Sequence, residues 1–126
     1  MNIYAEKLAQ LDAGTLDPAA FSHRDHVGVA IAALQQGDFY DALARMSRGL
    51  QRLTLAAGVP EKFNATVTFA SLSVIAEIEP QPGQDVDTLI DRHPDIMRPS
   101  VLKTLYSDSR MQSEIARRVP VLPLAS

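Results

Sequence analysis

Apolar positions recur along the chain with helical spacing. Ile3, Tyr4, Leu8 and Leu11 share one face of a helix over 3–11, and Gly14 is its stop signal. Asp17-Pro18 reads as an N-cap followed by proline at the first position of a short helical turn. Over 22–36, Val27, Ala30, Ile31 and Leu34 form a stripe for burial. Ser22 stands three residues before Asp25, a shortened capping box with its carboxylate at the positive end of the helix. Gly37 ends this helix and Asp38 opens the next, over 38–57. There Phe39, Leu43, Met46, Leu50 and Leu53 step by four, three, four and three, a core seam. Arg45, Arg48 and Arg52 occupy another face, and Asp41 sits four residues before Arg45, the favourable order for a helix ion pair.

Gly58 and Pro60 close that element. Thr66, Val67, Thr68, Val74 and Ile75 are β-branched, which suits a strand. Yet 61–78 runs without glycine or proline, longer than ordinary strands, so it reads as a central helix buried on most sides. Pro80, Pro82 and Gly83 make a loop. A short helix is expected over 85–92, ended by Pro94, and another over 95–107, broken at Pro99 with Ser100 as a fresh cap. A last helix is expected from Ser107 or Asp108 to Arg118. Residues 119–126 carry Pro120 and Pro123 and read as an extended apolar tail that needs a groove, on its own domain or on a partner.

The fold expected from this pattern is all-α: one domain over 1–126, five to six helices around the central 61–78 helix, and an extended C-terminal tail. With 126 residues there is room for one ordinary domain, and 46% hydrophobic against 21% charged residues is a globular balance. No cysteine is present, so disulfide frameworks, thiolate zinc sites and cysteine nucleophiles are excluded. A cytoplasmic location suits such a chain. The first dozen residues, with Glu6 and Lys7 and no basic start before an apolar run, do not read as a signal peptide. The longest nearly apolar run, 27–34, falls far short of the ~20 residues of a membrane span, so no membrane partner is expected.

Charge is uneven. Residues 1–91 hold 6 Lys/Arg against 12 Asp/Glu, and residues 92–126 hold 6 against 3. The acidic body and basic end can associate head to tail, or the basic end can receive an acidic ligand; ordinary solubility is the alternative. Three arginines on an acidic protein without a recognition motif give no expectation of nucleic acid.

His23 and His26 are three apart in a first helical turn and share a face. Two histidines so placed can hold one side of a metal, or pack and cap at the helix start. The helix N-terminus disfavours their protonation, leaving neutral rings. Asp25 lies between them in sequence and points elsewhere. Asn64, Thr68 and Ser71 recur at i, i+4 and i+7. They form either a polar pocket wall, or a cap at Asn64 with hydroxyls bonded back to their own helix. His93 is in a loop, and Glu77 and Glu79 diverge around a helix. Glycine-rich phosphate loops, a serine-hydrolase elbow and HExxH are all missing. No cofactor is expected, and two histidines with an amide are a poor set for a tightly bound transition metal.

The stretch Phe21-Ser22-His23-Arg24-Asp25-His26-Val27 resembles the F-x-H-x-D-H-[VL] opening of a family of small bacterial proteins of uncharacterised activity. That family's middle motif, roughly Y-H-E-T-I-T, aligns with Phe63-Asn64-Ala65-Thr66-Val67-Thr68. Tyr106-Ser107 through Ser113, Ala116-Arg117 and Val121-Leu122-Pro123 are similar to its closing pattern. The resemblance implies that in a full member the HxxH pair and the motif's His-Glu pair make a metal or acid/base site. Here Asn64 and Ala65 replace the histidine and glutamate, which favours binding over catalysis.

The function expected is that of a non-catalytic binding or accessory protein. Its small polar ligand would lie near His23, His26 and Asn64, with Thr68 and Ser71 also in the pocket. The alternatives are an enzyme with His26 or His23 as general base, with Asn64 orienting the substrate, and a self-associating structural module. A homodimer through the apolar tail is expected, with folding back of that tail as the alternative.

Overall fold

The computed structural model describes residues 2–124, and these form an all-α fold with no strand among them. The helices are α1 (Ile3–Ala13), α2 (His23–Gln36), α3 (Phe39–Ala56), α4 (Ala65–Ala76), α5 (Val86–Arg92), α6 (Ser100–Leu105), α7 (Asp108–Met111) and α8 (Glu114–Arg118). Short 3₁₀ turns at Pro18–Ala20, Pro60–Lys62 and Pro94–Ile96 each begin on a proline, whose fixed φ suits a first helical position.

The caps explain most boundaries. Ser22 and Asp25 form a complete reciprocal capping box at α2, and Asp38 and Asp41 form another at α3. Asp41 is therefore spent on the cap. Arg45 instead reaches Asp12 on α1, at 2.6 Å, and Gln36. The element expected over 61–78 is shorter: Pro60–Lys62 is a separate 3₁₀ turn, and Asn64 caps α4 by accepting the Val67 N–H. The last expected helix divides in two because Ser113 captures the Ala116 N–H and starts a new helix. With that division the described residues form eight α-helices, more than the five to six expected.

The centre of the bundle is α2, not the 61–78 segment. Seven successive residues, Val27, Gly28, Val29, Ala30, Ile31, Ala32 and Ala33, are buried in α2, whereas α4 buries Thr66, Leu72 and Ile75. Small side chains explain this: glycine and alanine let α1, α3, α4 and α5 all close on α2. At Gly28 the Tyr4 ring occupies the space a β-carbon would take, and at Gly49 of α3 the Leu11 side chain does the same.

A polar seam ties α1, α2 and α5 together. The Tyr4 hydroxyl donates to Asp87 at 2.6 Å, and Arg24 bonds Asp87 and Asp91. The Tyr4 hydroxyl and the Arg24 guanidinium hold the Asp87 carboxyl below the usual carboxylate range. Lys7 bridges Asp25 at 2.7 Å and the Ala20 carbonyl at 2.9 Å. Burial pushes the Asp25 carboxyl up, but the Lys7 ammonium and the Ser22 cap outweigh it and keep that group low.

The tail lies on its own bundle through Leu124; its last two residues, 125–126, lie outside the described residues. Thr66, 1% exposed, accepts the Val121 N–H, and its hydroxyl lies 2.8 Å from the Ala116 carbonyl and 3.0 Å from that of Val119. Tyr106 donates to the Val121 carbonyl and Arg110 to that of Leu122. These bonds fix the backbone, while Leu122 and Leu124 remain 69% and 62% exposed. No helix among the described residues is long and apolar enough to cross a membrane.

Candidate functional site

The helical period places His23, His26, Val27 and Ala30 on one face of α2. The same period places Val67, Thr68, Ser71, Leu72 and Ile75 along the facing side of α4. A third wall comes from the proline-broken stretch 94–105, which contributes Ile96, Met97, Arg98, Leu102 and Lys103. Met46 of α3 and Met111 of α7 complete the lining. These walls enclose a cavity of about 560 Å³, within the usual size of small-molecule sites.

Four of the five residues expected at a site line this cavity: His23, His26, Thr68 and Ser71. Asn64 does not. Its side-chain oxygen caps α4 and its amide donates to the Met111 carbonyl at 2.8 Å, so both ends are committed to structure. Thr68 donates back to the Asn64 carbonyl at 2.8 Å, which leaves only its oxygen lone pairs for a ligand. Ser71 has no hydrogen-bond partner among the described residues and is available to a ligand.

The two histidines have different environments. His23 is exposed at the rim, and its Nε2 contacts the Met97 carbonyl. A carbonyl only accepts, so that nitrogen carries the hydrogen. His23 is thus a rim residue tying α2 to the third wall. His26 is half-buried and stacked on Phe21, with ring centroids 5.6 Å apart. Burial first, and then the adjacent His23 ring, push its pKa down to about 4. At neutral pH it is an uncharged imidazole with one donor and one acceptor, and it has no hydrogen-bond partner among the described residues.

The wall is mostly apolar, unlike the polar wall expected. The cause is α4, whose inward positions are Val67, Leu72 and Ile75 as well as the hydroxyls, together with Ile96, Met97 and Leu102 opposite. Helical periodicity alone missed this third wall, because Pro94 and Pro99 interrupt its pattern. Its charge was visible, however, as the net-basic end beginning near residue 92.

Neither His93 nor Glu77 nor Glu79 lines the cavity. Among the described residues no group of three or more His, Cys, Asp or Glu is placed to hold a metal ion. Arg48 bonds Gln51 and Arg52 the Asp12 carbonyl, so with Arg45 the arginine stripe is used largely within the α1–α3 edge. Compared with family models, curated proteins and solved structures, the chain matches none.

Proposed function

We propose that this protein binds a small, mainly apolar molecule in the cavity between α2, α4 and the 94–105 stretch, without transforming it. The observation that carries this reading is the cavity itself: about 560 Å³, lined chiefly by Val, Leu, Ile and Met, with His26 and Ser71 as unengaged polar groups. That combination of apolar volume and few orienting polar atoms is typical of ligand sites.

Binding is favoured over catalysis by the state of His26. A general base works best with a pKa near the operating pH, and one near 4 makes a weak base. No aspartate or glutamate lines the cavity to orient or activate either imidazole. The resemblance noted for residues 21–27 and 63–68 points the same way, since the altered positions of the middle motif carry no acid or imidazole here.

The test is native mass spectrometry of the intact protein, purified without denaturant, beside a Ser71→Phe variant designed to fill the cavity. A small molecule retained by the parent and absent from the folded variant supports the reading. Equal retention by both places the ligand elsewhere and overturns it.

A further inference from the structure

The charges around the cavity mouth are one-sided. Arg98 and Lys103 are both lining residues and both exposed, and no lining residue is an aspartate or glutamate. Lys7, Arg24 and Arg45 each pair with a carboxylate elsewhere in the fold. Among the described residues neither Arg98 nor Lys103 has an ion pair or a side-chain hydrogen bond.

Their position is as informative as their charge. Both belong to the third wall, flanking Pro99 and Leu102 in sequence and exposed, while Val27, Leu72, Ile75 and Ile96 of the same cavity are buried. An anionic group held there keeps much of its hydration, so it avoids the large cost of burying a charge. An aliphatic body attached to it would replace water along the apolar walls. The exposed cations and the apolar walls would therefore select for different parts of one molecule.

We propose that the cavity takes an amphipathic organic monoanion, an aliphatic carboxylate whose charged end sits between Arg98 and Lys103 and whose chain fills the space between α2 and α4. This rests on the ligand-binding reading above and names its ligand class. Arginine supplies a planar two-donor fork for the carboxylate, and lysine a mobile second charge. His23, already engaged with Met97, holds the third wall and hence the two cations against α2.

The test is titration calorimetry of the intact protein with decanoate, decanol and decyltrimethylammonium, all below their aggregation concentrations. Decanoate is expected to bind about tenfold tighter than decanol, in line with one charge-assisted hydrogen bond, and the cation weakest. The decanoate preference is expected to shrink as sodium chloride rises, because the mouth is exposed to screening ions. In the double variant Arg98→Gln, Lys103→Gln the preference for decanoate over decanol should vanish; both positions are exposed, and circular dichroism verifies the fold. Decanoate binding no tighter than decanol, or a preference that survives in the double variant, overturns this inference and leaves the apolar cavity as a binding site. Failure of all three probes to bind overturns it together with the ligand-binding reading.

Discussion

The Tyr4 ring occupies the space that a side chain at Gly28 would need: a β-carbon built there overlaps Cδ1 and Cε1 of the ring and lies 2.9 Å from Cγ. This contact sets how closely α1 crosses α2, and the Tyr4 hydroxyl extends the same junction to Asp87 on α5. Gly28→Ala is therefore expected to destabilise, although alanine is the better helix former by about 0.5–1 kcal/mol. The overlap involves a buried ring tethered at its far end, so a cost of about 2–3 kcal/mol is expected in urea unfolding. In a Tyr4→Leu background the same substitution should cost less, since the obstructing ring is gone.

Asn64 acts on stability through two separate bonds. Asn64→Ala removes the α4 cap and the donor to Met111, and a loss of about 1–2 kcal/mol is expected. Asn64→Asp retains a capping oxygen at a helix N-terminus, where negative charge is favoured, and loses only the amide donor. Thermal unfolding of the two variants should place Asp between Ala and the parent. Identical losses would show that the bond to Met111 carries the whole effect.

The legible parts of this fold were those decided within a few residues. Ser22 with Asp25, Asp38, and Asp17-Pro18 are local signals, and the helical elements they open begin where expected. The all-α class followed from the apolar stripes on α2 and α3. The identity of the central helix did not, because the long run 61–78 without glycine or proline reads as a buried helix while Gly28, Ala32 and Ala33 look merely small. Smallness becomes burial only when four other helices are present to close in, which is tertiary information. The candidate site divides in the same way. Helical spacing placed His23 and His26 together, and Thr68 with Ser71, but only the return of 94–105 across the bundle makes a cavity of them. Asn64 has the side chain of either a ligand or a cap, and its position immediately before α4 decides for the cap.

Thr66 is the anchor of the C-terminal segment. Thr66→Val keeps the shape of the side chain and removes its hydroxyl, leaving the Val121 N–H without its acceptor and the Ala116 carbonyl without its side-chain donor. A global loss of about 1–3 kcal/mol is expected, the range for unsatisfied buried polar groups. Release should be concentrated at the tail, so hydrogen exchange at the Val121 amide should accelerate more than exchange within α2. Uniform acceleration across the molecule would instead show that α8 and the tail unfold only with the whole bundle.

His26 makes the protein sensitive to mild acid, and the sign follows from its two protonation states. Unfolded, its imidazole titrates at the ordinary value near 6.5; folded, burial and His23 push it down to about 4. Between those values the unfolded chain binds a proton that the folded chain refuses. The unfolded state is therefore favoured progressively as pH falls from about 6.5 to about 4, and the effect levels off below. The full span corresponds to at most about 3 kcal/mol, less whatever solvent reaches the half-buried ring. Asp25 and Asp87, held low by Lys7, Tyr4 and Arg24, lose their contributions only at more acid pH, below the ordinary carboxylate range. Urea unfolding at pH 7, 6, 5 and 4.5 should thus show a declining midpoint in the parent. In His26→Leu, which keeps an apolar side chain in the cavity wall, that decline should largely disappear, so the variant overtakes the parent in relative stability near pH 5. An equally steep decline in both would assign the acid sensitivity to another group and place His26 in a more hydrated setting than its stacking on Phe21 implies.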